Sequence, residues 1–393
     1  MSEGALSRRT ERVINAVTPF ISGMRRFGAM GPDASDFLAG NPQEIASREY
    51  VETLQGWLEP RDKRWFAYNM AHRPAQEAAA AGLGAELGLA FTPDDIFVTR
   101  GAHHGLVAAL NVVVDVDDEV IFISPPWFFY EAMILALGAT PVRVKVDPAT
   151  WDLDIDAIRA AVTPKTRAVL INTPNNPTGV VYPPETLQAL ARVCDEATAA
   201  NGRPVYIISD EAYSRILFAG TRMHTPATHY PRSLLIHTYS KTSLAPGQRL
   251  GYVALPPDAP DRELLRMGLM ASGAGTGHLG ADAVMMYALA DIEPMNVDLV
   301  ALEKRRDWMV SALAEMGYET NTPDATFYLL VKSPVADVLE FVDRLAKDDV
   351  FVLPGTAFEM PGHFRISLTA TDRMVERALP VFAAAIEEVR AAV

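Results

Sequence analysis

The sequence predicts an α/β protein whose larger part is a mostly parallel β-sheet covered by helices on both faces. Apolar runs of four to seven residues alternate with helical patterns as far as about residue 255. Strands interleaved with helices in this way form parallel sheets that are buried on both sides. After Pro256 the pattern becomes rich in helices and then alternates again, which indicates a second, smaller α/β domain. A chain of 393 residues is long enough for two domains.

The elements follow in chain order. A helix with Val13, Val17 and Ile21 on one face opens the chain, and a short strand at 36–38 runs into a turn at Gly40. Strands of the larger sheet are predicted at 97–99, 119–124, 141–146, 166–172, 204–209 and 234–238, with helices at 48–58, 74–89, 106–114, 156–162 and 185–200. Further helices are predicted within 261–318 and at 335–347 and 372–392, and further strands at 327–331, 350–355 and 363–368. The predicted division is a large domain over 45–285 and a small domain formed by 1–44 and 286–393.

Charge and composition exclude several classes of function. The net charge of -14 and the pI near 5.1 disfavour broad binding to nucleic acids or to anionic membranes. The single Cys194 excludes an internal disulfide framework and a zinc site built from several cysteines. The adjacent His103 and His104 point in different directions on a helix, so no metal site is predicted. No apolar stretch resembles a signal peptide or a membrane span, so we expect a cytoplasmic protein.

The segment 234–252 has the most distinctive chemistry in the chain. An apolar run ends at Thr238 and Ser240, presents Lys241, and then turns through Ala-Pro-Gly to Arg249. A desolvated lysine at the end of a strand can form a Schiff base with an aldehyde. The two hydroxyl groups and the guanidinium could hold a phosphate. Together they suggest pyridoxal 5′-phosphate, although the segment alone also fits a surface lysine after a buried strand.

Polar residues follow other predicted strands at the same edge of the sheet. Asn176 comes shortly after one strand and Asp210 directly after another. Ligands of parallel sheets bind outside the carboxyl ends of the strands, so Asn176, Asp210 and Lys241 are predicted to converge there. A further strand turns through Gly101 into a helix, and the free N–H groups at such a turn form an anion site.

Four motifs in order resemble the class I and II aminotransferases of fold type I, a family dependent on pyridoxal phosphate that includes aspartate, alanine and aromatic aminotransferases. The motifs are Asn176-Pro-Thr-Gly179, Asp210-Glu-Ala-Tyr213, Ser240-Lys241 with Arg249 eight residues later, and Phe364-Arg-Ile-Ser367. The resemblance implies a seven-stranded sheet of the aspartate aminotransferase type. It also implies a homodimer with shared active sites, to which residues near Thr276 contribute across the interface.

The resemblance also implies roles for individual residues around the cofactor. Lys241 would form the Schiff base and move the substrate's α-proton, and Asp210 would pair with the protonated ring nitrogen. Asn176 and Tyr213 would hydrogen-bond the phenolic oxygen of the cofactor, and Trp127 would stack on its ring. The phosphate cup would be formed by Gly101, Ala102, His103, Arg249 and either Thr238 or Ser240, with Thr238 favoured by its position three residues before the lysine.

Three further residues would contact the substrate or the partner subunit. By the resemblance, Arg365 binds the α-carboxylate of the substrate, and Gly40 belongs to a loop that closes over it. Tyr68 would reach the phosphate bound by the partner subunit. The segment 65–76 keeps this tyrosine but lacks the glycine and the Leu-Arg pair usual in the family, which weakens the assignment of Tyr68.

The predicted reaction moves an amino group from an α-amino acid to a 2-oxo acid by a ping-pong mechanism. β-Eliminating lyases, cyclising synthases and oxidases share the fold and cofactor, and no motif separates them from this prediction. A non-catalytic regulatory module is a third possibility, but it would usually lack the lysine or carry a DNA-binding domain. The substrate's side chain also stays open. Arg25, Arg26 or Arg73 could bind a second carboxylate, whereas Phe20, Trp127 and Phe327 would suit an apolar or aromatic group.

Overall fold

The computed structural model describes residues 4–25, 30–69 and 71–392. The strands are β1 (Ser35–Phe37), β2 (Ile96–Thr99), β3 (Glu119–Ser124), β4 (Thr140–Lys145), β5 (Thr166–Asn172), β6 (Tyr206–Asp210), β7 (Ser233–Thr238), β8 (Gly251–Ala254), β9 (Tyr328–Lys332), β10 (Val350–Pro354) and β11 (His363–Ser367). The helices are α1 (Arg8–Arg25), α2 (Arg48–Leu58), α3 (Arg73–Leu87), α4 (Gly101–Val113), α5 (Tyr130–Ala136), α6 (Ile155–Ala161), α7 (Pro184–Asn201), α8 (Tyr239–Thr242), α9 (Arg262–Gly275), α10 (Ala283–Ile292), α11 (Leu299–Met316), α12 (Val338–Ala346) and α13 (Asp372–Ala392).

The larger sheet has seven strands in the order β2-β8-β7-β6-β5-β3-β4. All pairings from β4 to β7 are parallel, while β8 runs antiparallel to both of its neighbours. The prediction of a mostly parallel sheet is therefore confirmed. The sequence analysis did not identify β8, because its four residues begin with a glycine and follow Arg249 almost directly. It also did not identify α5, which continues from the aromatic loop 125–129.

Alternate residues of the larger sheet are buried against different helices. Phe122 and Leu170 pack with residues of α4 on one face, whereas Ile121 and Val169 pack with residues of α6 and α7 on the other. Side chains alternate between the faces of a strand, so burial of both faces requires a continuous apolar run. This explains why the patterns at 119–124 and 166–172 predicted these strands correctly.

The smaller sheet joins the two ends of the chain. Its order is β1-β10-β11-β9, with β1 parallel to β10 and the remaining pairs antiparallel. A separate core lies against α11, α12 and α13 and includes Phe364 and Phe382, whose rings stack with centroids 6.3 Å apart. Pairing of β1 with β10 brings the backbone just after β1 next to β11. The side chain of Arg365 on β11 therefore meets the backbone of Leu38.

The helices begin and end at residues suited to those positions. Side-chain oxygens of Ser47, Asp154 and Asp298 accept backbone N–H groups in the first turns of α2, α6 and α11. Helices α3 and α7 end at Gly88 and Gly202, whose φ angles of 69° and 65° lie in the left-handed region that glycine adopts easily. None of the helices among the described residues is long and apolar enough to cross a bilayer.

Candidate active site

A cavity of about 230 Å³ lies at the carboxyl ends of the large sheet's central strands and is also lined by residues of the smaller sheet and of the segment 39–41. Twelve of the fourteen site residues predicted from the sequence line it, namely Gly40, Ala102, His103, Trp127, Asn176, Asp210, Tyr213, Thr238, Ser240, Lys241, Arg249 and Arg365. The convergence predicted for Asn176, Asp210 and Lys241 is therefore observed.

Lys241 lies at the centre of this group. Strand β7 ends at Thr238, and the lysine follows in the single helical turn of α8, so it stands three residues beyond the strand. Its Nζ lies 5.6 Å from the ring centroids of both Tyr213 and Phe327. Within the described residues the amine forms no ion pair with a carboxylate. Its nitrogen is therefore available for covalent chemistry and for moving protons.

Asp210 is a buried carboxylate held by two donors. Its Oδ2 accepts a hydrogen bond of 2.6 Å from the hydroxyl of Tyr130, and its Oδ1 accepts one of 3.2 Å from the backbone N–H of Ala212. Burial raises the pKa of Asp210 to about 6, against the opposing effects of both hydrogen bonds and of the charge on Lys241. The carboxylate is therefore mostly ionised at neutral pH. An anion in this position favours a cationic group bound beside it.

Arg249 lines the cavity together with two hydroxyl side chains. Its Nη1 donates to Pro246 O at 2.8 Å and to Ser240 Oγ at 3.4 Å, and Thr238 Oγ1 lies 3.0 Å from Ser240 Oγ. No carboxylate among the described residues pairs with this guanidinium, and burial lowers its pKa. The first turn of α4 lies beside it, so hydroxyls, a cation and free N–H groups meet as a phosphate requires. Thr238 and Ser240 both line the cavity, so the choice between them as phosphate ligands remains a prediction.

Gly101 stands behind Arg249 rather than in the cavity wall. Its φ of 75° lies in the left-handed region, and a Cβ atom there would come within 2.7 Å of Arg249 Nη2. A glycine is therefore required for the guanidinium to lie against the start of α4.

Arg365 also lines the cavity, with hydrogen-bond partners different from those of Arg249. Its side chain is 3% exposed, and it donates to Asn176 Oδ1 at 2.8 Å and to Leu38 O at 3.0 Å. The guanidinium carbon lies 3.9 Å from the ring centroid of Tyr328, while its Nε is buried without a hydrogen-bond partner among the described residues. The group is thus fixed in orientation and still has an unsatisfied donor. A planar guanidinium held in this way is suited to binding a carboxylate through two hydrogen bonds.

Aromatic side chains form a further part of the cavity lining, called the aromatic wall below. The rings of Phe20 and Phe128 stack with centroids 3.6 Å apart and an angle of 10° between planes. Trp127 lies beside them, with its ring centroid 5.5 Å from that of His103. Burial lowers the pKa of His103, and the charge of Arg249 lowers it further, so the imidazole is neutral at pH 7. This wall is therefore uncharged and mostly apolar.

Tyr68 is the predicted residue that lies apart from the cavity. Its side chain is 94% exposed, and it borders a separate surface depression with Phe66, Arg100 and Leu279. Within one chain it therefore contributes nothing to the cavity.

The sequence analysis missed three residues of the site. Tyr130 holds Asp210, Asn172 donates to the backbone oxygen of Asp210 at 2.9 Å, and the hydroxyl of Tyr328 lies 3.4 Å from that of Tyr213. Asn172 could have been found, because it is the last residue of a predicted strand. Tyr328 was passed over for its neighbour Phe327; both side chains are buried beside Gly40, but of the two it is Tyr328 that lines the cavity. Tyr130 was treated as part of an aromatic loop, although it begins a helix.

Comparison with known proteins agrees with these features. The family model described as aminotransferase class I and II matches residues 59–382. The aspartate/prephenate aminotransferase of Thermus thermophilus is 30% identical, over 96% of this chain and 98% of its own. The aspartate aminotransferase of Thermotoga maritima is 30% identical over 88% and 90% of the two chains. A solved aminotransferase structure from Eubacterium rectale superposes with a TM-score of 0.87 at 28% identity, covering 98% of this chain and 96% of the other.

Proposed function

The chain belongs to the aminotransferase class I and II family, and on this premise we propose that the cavity around Lys241 is the site where it exchanges an amino group between an α-amino acid and a 2-oxo acid. The observation that supports this most directly is the set of charged side chains in one cavity. Lys241, Arg249 and Arg365 line it together with the buried carboxylate of Asp210. Each charge then has a separate partner on the cofactor or on the substrate.

The residues of the cavity fit pyridoxal 5′-phosphate, the cofactor of this family. When bound, the cofactor supplies an aldehyde that bonds to amines and a cationic ring that withdraws electrons from the substrate's α-carbon. Arg249, Thr238 or Ser240, and the first turn of α4 would hold its phosphate. Asp210 would pair with the ring nitrogen, Asn176 and Tyr213 would hydrogen-bond the phenolic oxygen, and Trp127 would pack on the ring.

Two side chains and one loop would handle the substrate. Arg365, fixed by Asn176 and Leu38, would bind the α-carboxylate and so set the position of the α-carbon. The Nζ of Lys241 would then take the α-proton and later deliver it to C4′, the aldehyde carbon that the cofactor supplies, acting as base and then as acid. The loop containing Gly40 would exclude water from this space.

The proposal is tested by the visible absorbance of the purified protein with pyridoxal 5′-phosphate. We expect an absorbance band from lysine-bound cofactor that disappears when one amino acid is added and returns with 2-oxoglutarate. Lys241→Ala should abolish both the band and the transfer, whereas Lys332→Ala, at a surface ion pair with Glu319, should change neither. Failure to form the band would refute the cofactor assignment. Release of ammonia or consumption of oxygen would instead indicate a lyase or an oxidase.

We also propose that the protein is a homodimer with shared active sites. Support comes from the exposed apolar side chains around Tyr68, which include Phe66 at 60% and Leu279 at 47% exposure. Monomers in analytical ultracentrifugation at micromolar concentration would refute this proposal.

The division into a large domain over 45–285 and a small domain formed by 1–44 and 286–393 is likewise a proposal. It is supported by the pairing of β1 with β10 in the smaller sheet. Limited proteolysis near 45 and 285, followed by mass spectrometry of the fragments, tests these boundaries. Cleavage confined to other regions would contradict them.

A further inference from the structure

In the part of the chain that the structure describes, three cationic side chains line the cavity. They are Lys241, Arg249 and Arg365. In the proposed function the first carries the chemistry, the second binds phosphate and the third binds the α-carboxylate. A substrate with a second carboxylate, such as aspartate, would need a fourth cation. His103 cannot supply it at pH 7, because its burial and the neighbouring charge of Arg249 lower its pKa.

The arginines that the sequence suggested for a second carboxylate do not reach the cavity. Arg25 lies exposed in the last turn of α1 and does not line it, and Arg73 is paired with Glu77 and Asp94 at the surface. Arg26 lies outside the described residues. Arg305 lines a neighbouring cavity, where it donates to Asp372 and to the backbone oxygen of Leu368.

The aromatic wall is the part of the cavity left for a substrate side chain. Phe20 from α1 and Phe128 from the loop before α5 both line it, and their stacked rings are half-buried, so they can still make contact with a ligand. Phe20 is also 5.4 Å from the ring of Phe129, so its orientation is fixed by two partners. Ala39 and Gly40 also line the cavity, and side chains this small occupy little of its volume.

From this arrangement we infer that the substrate is an amino acid with a bulky apolar or aromatic side chain, selected by contact with Phe20 and Phe128. The inference rests on the proposed aminotransferase function. A ring or branched chain packed on two phenyl faces gains by removal of apolar surface from water. A carboxylate in the same place would be desolvated without a cation from this chain, which is unfavourable.

Several relatives are named as aspartate aminotransferases, so the inference is tested by comparing apolar amino acids with L-aspartate as substrates. The half-reaction is followed in the cofactor-loaded protein as the decay of its visible band with L-phenylalanine, L-leucine, L-alanine, L-aspartate and L-glutamate. We expect kcat/KM for L-phenylalanine or L-leucine to exceed that for L-aspartate by at least about tenfold. A larger value for L-aspartate would overturn the inference and leave the aminotransferase function standing. Decay with none of the five would count against the function itself.

Variants of the aromatic wall test the residues. Phe20→Ala should lower kcat/KM for L-phenylalanine about tenfold or more while leaving that for L-alanine within about twofold. Phe20→Leu keeps an apolar surface, so its kcat/KM for L-phenylalanine should lie between the values of the wild type and of Phe20→Ala. Phe91→Ala removes a half-buried phenylalanine from another core cluster and is the matched control. Equal losses for L-phenylalanine and L-alanine in Phe20→Ala would show a merely structural role and overturn the assignment.

Binding without turnover gives an independent measurement. The dissociation constants of 3-phenylpropanoate and succinate, measured with the cofactor-loaded protein by calorimetry, should favour the phenyl compound, and Phe20→Ala should remove that preference. Tighter binding of succinate would overturn the inference.

Discussion

Removal of the Tyr130 hydroxyl should change the charge state of Asp210 without changing the shape of the site. The hydroxyl donates a 2.6 Å hydrogen bond to the buried carboxylate, and hydrogen bonds to charged groups contribute about 1.5 to 3 kcal/mol. One pKa unit corresponds to about 1.4 kcal/mol. Tyr130→Phe should therefore raise the pKa of Asp210 in the cofactor-free protein from about 6 to between about 7 and 8.

The direction of this pKa change determines the pH range in which affinity for the cofactor is lost. A protonated Asp210 carries no charge with which to attract a cationic ring nitrogen, so affinity for pyridoxal 5′-phosphate should fall as pH drops through the pKa of this carboxyl. In the wild type the fall is centred near pH 6, where burial places that pKa. In Tyr130→Phe it should be centred about 1 to 2 units higher, with affinity recovering near pH 9.

The assay is the dissociation constant of the cofactor, measured by fluorescence titration of cofactor-free protein from pH 5.5 to 9. Tyr182→Phe is the matched control, because Tyr182 is also fully buried and its hydroxyl contacts Asn175 rather than Asp210. The same pH profile in Tyr130→Phe and in wild type would refute the reasoning. A shift to lower pH would refute it as well.

Two further substitutions test other parts of the site. Arg365→Lys replaces a planar group by a point charge and loses at least one of the hydrogen bonds to Asn176 and Leu38, so KM for the amino acid should rise roughly 10- to 100-fold. Arg344→Lys, in a surface pair with Glu388, is the control and should leave KM unchanged. The same KM in Arg365→Lys and in the wild type would contradict the proposed role of Arg365. Gly40→Ala would place a Cβ atom against Tyr328 Oη and 2.5 Å from Phe327 Cε2. The free energy of unfolding, measured with denaturant, should therefore fall by about 1 to 3 kcal/mol. A variant as stable as the wild type would show that the loop moves freely.

The sequence predicted most of the larger sheet because its strands are buried on both faces, which requires continuous apolar runs. The residues at the strand ends could be placed because parallel strands present their carboxyl ends at one edge of the sheet. Contacts between distant segments could not be predicted in this way. The bond from Tyr130 to Asp210 spans 80 residues, and the aromatic loop that precedes α5 is typical of ordinary packing.

The sequence alone also does not show which residues would contact the side chain of the substrate. Arg73 and Phe20 were both reasonable candidates, since neither position in the chain indicates which side chains reach the cavity. Only the folded chain shows that Arg73 is paired with Glu77 and Asp94 at the surface, while Phe20 lies against Phe128 in the cavity wall. Likewise, Phe327 and Tyr328 are adjacent in sequence, and only the folded chain shows that the ring of Tyr328 lies 3.9 Å from the guanidinium carbon of Arg365.

The parallel pairing of β1 with β10 constrains how the protein is made on the ribosome. Ser35 pairs with Val350, so β1 leaves the exit tunnel hundreds of residues before its partner has been synthesised. Strands β2 to β8 are complete by Ala254 and can assemble while the N-terminal segment is still unpaired. The part of the cavity proposed to bind the α-carboxylate requires both Leu38 and Arg365, so it forms after the strands of the larger sheet. A nascent chain released before β11 would retain Lys241 and Asp210 but would lack Arg365, the arginine proposed to orient a substrate.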